Sequence, residues 1–282
     1  MSKMRPGQPE AIGAGVDRIV APNGGMMTGP GTNTYLLGPL LKAVVDPGPV
    51  SDEHLQCILQ ACGDKLRWIL VTHTHRDHSP GVAALREATG AQVIGLPPPK
   101  APLQDDDFKP DRQPAHDELL QLGGLRIRAI HTPGHASNHV CYLDEHSGIL
   151  FSGDHINQGT TVVIAPPDGC MSRYMGSLEL LKGYPVRAIA PGHGSLIDAP
   201  ELAIDRIIRH RLARESRVLK RVEKNPGMTV EQLTAEVYTD VSSVLHELAQ
   251  QSLLAHLLKL RDDGAVTQTS ANPSDSGWVA NT

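Results

Sequence analysis

The stretch "VTHTHRDHSPG", from Val71 to Gly81, places His73, His75, Asp77 and His78 within six positions. Imidazole and carboxylate side chains together suit Zn2+, and also Mn2+ or Fe2+. His73 and His75 are two residues apart, so on an extended chain both point to the same side. Asp77 and His78 fall on the turn that follows. One strand end can thus offer two imidazoles to one ion, and the next turn a carboxylate and an imidazole to a second. Three further segments supply the same chemistry: "HTPGH" with His135, "SGD" with Asp154 and "PGHG" with His193. Each ends a β-like run and is flanked by glycine, which lets the backbone turn sharply at a rim where strands converge. With 14 histidines in 282 residues, the spacing H-x-H-x-D-H is rare enough to outweigh a polar loop that merely holds histidines.

The elements that must position these groups are legible up to about residue 200. The runs "VDRIVA", "NTYLLG", "LKAVVD", "LRWILVTH", "AQVIGL", "LRIRAIH", "HVCYLD", "GILFSG" and "VRAIAPG" read as strands, rich in Val, Ile and Leu and bounded by Gly, Pro or Asp. "DEHLQCILQAC" and "SPGVAALREATG" read as helices, and "LPPPKAPLQDDDFKPDRQP" as a surface loop. After Pro200 the period becomes helical: Ile204, Ile207, Ile208, Leu212, Val218, Leu219 and Val222 share a stripe. Two more helical stretches, a Gly turn and "AVTQT" suggest a small winged-helix-like unit. The expected division is a catalytic domain over 1–200, the basic helix and winged-helix-like unit over 201–270, and a flexible tail over 271–282.

The set "THTHRDH", "TPGH", "SGD" and "PGHG" resembles the metallo-β-lactamase-fold hydrolases. The resemblance implies an α/β fold, an αββα sandwich with the site at one edge. It implies that His73, His75 and His135 hold one ion, that Asp77, His78 and His193 hold a second, and that Asp154 bridges them. Within that superfamily, "GPGTNTYLLG", "VVDPG", "TPGHASNHVCYL" and the segment from "LFSGDH" to "GSLELL" look like the lactamase-beta-two-like group. That group includes an endoribonuclease acting on single-stranded RNA and fungal thioesterases that release acyl chains from a carrier protein.

The implied activity is hydrolysis of an ester-type bond by a metal-bridging hydroxide. Two ions about 3.5–4 Å apart lower the pKa of bound water to about 7. The cofactors would be two divalent ions, zinc first, with manganese or iron(II) as alternatives. Asp77 and Asp154 would be the catalytic carboxylates, Asp77 orienting the nucleophile. The substrate would be a small or carrier-bound acyl compound, as in a glyoxalase-II-like or carrier-protein thioesterase, or a phosphodiester of single-stranded RNA. A non-catalytic metal-binding or nucleic-acid-binding module is the alternative of another class. Asn138, His139 and Tyr174 are candidate substrate contacts. Asp46, in "VVDPG", is either the acceptor for the second N–H of a ligating imidazole or an ordinary turn residue. His54, His116, His131, His146, His246 and His256 are read as structural or solvent-facing, and His155 as either structural or facing the site.

Composition narrows the partners. The net charge of −5 opposes broad capture of nucleic acid, and 3% aromatics opposes base-stacking platforms. The helix over 201–224 is rich in Arg and Lys, read chiefly as a solvated face with i,i+4 pairs. The segment after it is acidic, read as a lid or a dimerisation element, so a homodimer is open. No apolar run is long enough for a membrane span and no secretory signal is visible, and none of the four cysteines forms a C-x-x-C pair. The expected setting is cytoplasmic.

Overall fold

A computed structural model describes residues 4–159, 161–239 and 241–281; Met1–Lys3, Thr160, Asp240 and Thr282 lie outside the described residues. The chain forms two compact units that are not consecutive in sequence. The first comprises 1–132, 138–162 and 180–201; the second comprises 133–137, 163–179 and 202–282. Two segments from before residue 200 thus join the second unit, which a linear boundary at that point does not anticipate.

The first unit is built on two sheets. One has six strands in sequence order: β1 (Glu10–Gly13), β2 (Val16–Val20), β3 (Asn33–Leu37), β4 (Lys42–Val45), β5 (Leu66–Leu70) and β6 (Gln92–Ile94). β1 to β4 are antiparallel, and β4, β5 and β6 are parallel. Parallel neighbours need a crossover, which α1 (Asp52–Cys62) and α2 (Val82–Thr89) provide. The second sheet has the order β11-β10-β9-β8-β7, with β7 (Glu118–Leu122), β8 (Leu125–His131), β9 (Val140–Asp144), β10 (Ile149–Gly153) and β11 (Ala188–Pro191).

The period-2 alternation of strands sets the layers. Tyr35, Leu37, Val45 and Leu70 of the first sheet meet Ile127, Tyr142 and Phe151 of the second in one buried cluster. Ile19, Leu36, Val44 and Ile69 point the other way, onto Leu55 and Ile58 of α1 and Leu85 of α2. The first unit is therefore helices, sheet and sheet in successive layers. The Pro- and Asp-rich stretch 96–114, expected as a surface loop, has no helix or strand, but Phe108 is buried in the helix-side core and Gln104 is 2% exposed.

The second unit holds most of α3 (Met171–Leu181) and α4 (Pro200–Lys224), then α5 (Val230–Val237), α6 (His246–Asp262), β12 (Val266–Gln268) and β13 (Trp278–Ala280). Val218 and Val222 of α4, Leu233 of α5 and Leu253 and Leu257 of α6 form its core with Trp278. The tail expected over 271–282 is corrected here: β13 pairs antiparallel with β12, and Trp278 is fully buried. A lone Trp among Ser, Asn and Gly carries enough apolar area to anchor a strand that composition hides. The solvated reading of α4 also needs correction at two positions. Arg211 lies over the Tyr174 ring, and Arg214 lies 4.1 Å from the Tyr238 ring centroid and donates to the Val237 carbonyl oxygen, so both are buried. Among the described residues no helix is long and apolar enough to cross a membrane.

Candidate metal centre

Four strand ends of the first unit deliver the site. Asp46 follows β4, the stretch 71–78 follows β5, Asp154 follows β10 and His193 follows β11. These are the C-terminal ends of the parallel pairs β4–β5 and β10–β11, which is where such sheets gather their loops. The turn at Gly192 has no room for a side chain, since a Cβ there would stand 2.6 Å from Asp154 Oδ1 and 2.9 Å from His78 Cε1.

Hydrogen bonds fix how the imidazoles face. His78 Nδ1 lies 2.8 Å from Asp46 Oδ2, and His193 Nδ1 lies 3.2 Å from the Gly31 carbonyl oxygen. Each ring therefore donates from Nδ1 and turns Nε2 inward. The Thr72 hydroxyl donates to Asp46 Oδ2 at 2.6 Å, so Thr72 Oγ1 accepts from His73 Nδ1 at 3.1 Å. His73 Nε2 then faces His75 Nδ1 at 3.0 Å. His135 lies in the second unit, where its Nδ1 is 2.8 Å from the Val163 carbonyl oxygen.

The inward atoms surround a small space. His78 Nε2 stands 3.4 Å from both Asp77 Oδ2 and Asp154 Oδ1, and His193 Nε2 stands 3.2 Å from the same two oxygens. His73, His78 and Asp154 form one candidate ligand set, and Asp77, His78 and His193 another. His78 Nε2 is buried with no hydrogen-bond partner. A buried imidazole nitrogen facing two carboxylates is the arrangement a divalent cation satisfies.

The electrostatics agree. Burial alone would raise the Asp77 and Asp154 pKa values, yet both are held below the ordinary carboxylate range, Asp77 chiefly by His78 and Asp154 chiefly by His193. Burial alone would lower His193, yet the Asp154 charge and hydrogen bonds to Asp154 and Asp77 raise it to about 9. His78 is raised in the same way, with Asp77 as the strongest partner. Two carboxylates in so confined a space attract positive charge, and protons play that part when no metal does.

Several residues outside the motif hold it in place. Asn157 Nδ2 donates to Asp154 Oδ1 at 3.0 Å, and Asn157 Oδ1 accepts from the His193 backbone N–H. Thr32, itself clamped by Asn23, places its hydroxyl 3.4 Å from Asp77 Oδ2. Gln104 accepts from the Thr74 hydroxyl between His73 and His75. Sequence reasoning missed Asn157, Thr32, Asn23 and Gln104; Asn157 stood within three residues of Asp154, the one signal available.

The expected substrate contacts do not fit the structure. Asn138 is buried, with its amide donating to Thr74 Oγ1 and the Pro97 carbonyl oxygen. His139 is fully buried, stacked on His73 with ring centroids 5.0 Å apart and Nδ1 2.9 Å from Thr132 Oγ1. Both brace the histidine loop from behind. Tyr174 is fully buried in the second unit, its backbone packed where Gly134 leaves space. His155 is buried beside His139.

The model of the metallo-beta-lactamase superfamily matches residues 27–193, and that of the beta-lactamase-associated winged helix domain matches 229–278. The chain is 32% identical to the "Beta-lactamase-like protein 2 homolog" of Caenorhabditis elegans, covering 91% of this chain and 88% of the relative. It is 28% identical to the "Atrochrysone carboxyl ACP thioesterase dmxR1" of Cryptosporiopsis sp., over 91% and 83% of the two chains. Among solved structures, a beta-lactamase domain protein from Burkholderia ambifaria superposes with a TM-score of 0.83 at 18% identity, over 99% of this chain and 96% of that one. By these matches the chain belongs to the metallo-beta-lactamase superfamily of hydrolases and carries its associated winged helix domain.

Proposed function

We propose that this hydrolase cleaves the thioester or ester of a small or carrier-bound acyl substrate, with a pair of divalent ions, zinc first among them, as cofactor. One observation carries the reading: His78 Nε2, buried and without a hydrogen-bond partner, faces the Asp77 and Asp154 carboxylates at 3.4 Å. By motif order, His73, His75 and His135 would hold one ion, Asp77, His78 and His193 the other, and Asp154 would serve both. When bound, such ions polarise the electrophile and lower the pKa of water. The chain's own residues supply the rest. Asp46 holds His78 as a neutral Nε2 ligand, and Asn157 fixes the Asp154 oxygen. Asp77, with the more exposed side chain of the two carboxylates, would orient the attacking water.

The relative named as a carrier-protein thioesterase supports an acyl substrate. A second reading, cleavage of single-stranded RNA, is favoured by exposed Arg206, Arg209, Arg217, Lys220 and Lys224, which recur along one face of α4. The test is a parallel assay of zinc-loaded protein on an acyl-thioester panel, a single-stranded RNA and a cephalosporin. Thioester cleavage abolished by chelation, and lowered at least about 100-fold in His78→Ala and Asp154→Ala, is the expected outcome. RNA cleavage alone would favour the second reading; full activity in both variants would remove the site assignment.

A further inference from the structure

We propose that His54 and Thr34, neither of which touches the candidate ligands, are positioning residues of the metal centre that act through Asp46. The proposal rests on the two-metal reading above. Asp46 is a non-glycine residue at φ +49°, a left-handed conformation that side-chain-bearing residues avoid. From it the carboxylate takes three hydrogen bonds: the Thr72 N–H at 2.8 Å, the Thr72 hydroxyl at 2.6 Å and His78 Nδ1 at 2.8 Å. The direction of that carboxylate therefore sets both the His78 ring and the start of the histidine loop. A residue in a disfavoured conformation keeps it only when its neighbours over-determine it.

Those neighbours are identifiable. The Asp46 N–H donates to the Leu70 carbonyl oxygen at 2.9 Å, and the Asp46 carbonyl oxygen accepts the Thr34 hydroxyl at 2.6 Å. Thr34 has a single hydroxyl hydrogen and commits it there. His54 Nε2, 2.9 Å from the same hydroxyl oxygen, must then be the donor, which fixes its tautomer. His54 Nδ1 is buried and has no hydrogen-bond partner, as a neutral ring with its proton on Nε2 requires. Burial lowers the His54 pKa to about 4, so the ring stays neutral and the direction of the chain is constant. Gly48 leaves the space the ring fills, since a Cβ there would lie 3.3 Å from it. The order is His54 to Thr34 to the Asp46 backbone, and from the Asp46 carboxylate to His78.

The test uses the full chain and reads metal retention, by zinc competition against a chromophoric chelator, beside the thermal midpoint of metal-free protein. Thr34→Val and His54→Leu should weaken the more loosely held zinc about 10- to 100-fold, the range for partners that orient metal ligands. Thr34→Ser and His54→Gln, which keep the hydroxyl and an amide donor, should stay within about threefold of wild type. Leu55→Ala, on the same helix but outside the chain of bonds, controls for stability. The proposal is overturned if Leu55→Ala weakens zinc as much at an equal loss of midpoint, or if Thr34→Val matches Thr34→Ser. Should His54→Leu fail to fold, the Thr34 pair decides alone. Wild-type protein that retains no zinc would instead sink the two-metal reading itself.

Discussion

At the residue scale the site is an unusual charge assembly whose protons and metal compete. His193 is raised to about 9 from an ordinary value of 6.5, and a raised imidazole stabilises the fold while it is protonated. That contribution is complete below about pH 6.5 and is lost as pH climbs to 9. Asp77 and Asp154 are depressed, so their contribution is present above about pH 4 and is lost in acid. Metal-free protein should therefore hold its thermal midpoint between about pH 4 and 6.5 and lose it toward pH 9. Zinc needs the deprotonated rings, so its stabilising shift should grow across that window. A calorimetric series with and without chelator checks this; a flat metal-free midpoint from 6.5 to 9 would contradict the charge coupling. The groups in this assembly were the most legible part of the chain, because their types and spacing are local. What stayed hidden were their supports. Asn157, Thr32, Gln104 and the His54–Thr34 pair are ordinary polar residues that gain meaning only from distant partners, such as Asp46 for Thr34.

At the scale of elements, strands that close the core were legible and those at its margins were not. β3, β9 and β10 are buried along their whole length and read as apolar runs. β7, "ELLQL", sits at an edge with mixed exposure and pairs only with β8, so its pattern is weak. α3 carries Gly176 mid-helix, which local propensity counts against a helix. The stretch 96–114 misled for a different reason. Its Pro and Asp residues do forbid regular structure, but Phe108 still packs against Gly95 and the core beside α2, while the Asp105 N–H donates to the Thr74 carbonyl oxygen at 2.7 Å. Irregular backbone here is a packed brace for the histidine loop. Phe108→Ala should cost about 3–5 kcal/mol, the range for an aromatic lost from a core, measured from urea unfolding. A loss below about 1 kcal/mol would show the stretch to be a loosely attached surface loop after all.

At the scale of the whole molecule, the change of pattern near Pro200 marked a second structural unit but not its membership. Segments 133–137 and 163–179 join it through contacts no linear reading can supply, such as Arg211 of α4 over the ring of Tyr174. Nor could composition reveal that the chain's last turns close this unit's core. Trp278 inserts between α4, α5 and α6, with its backbone bonded to Gly227 and Met228. Its indole N–H is buried without a partner, an unfavourable feature that the ring's apolar contacts outweigh. This asymmetry separates two substitutions. Trp278→Ala removes the contacts and should cost about 3–5 kcal/mol. Trp278→Phe keeps much of the volume and removes the unsatisfied donor, so its loss should be under about 2 kcal/mol. Thermal and urea unfolding of the two variants measures the difference. If Ala and Phe were equally mild, the terminal strand would be an appendage and the core of the second unit would rest on its helices alone.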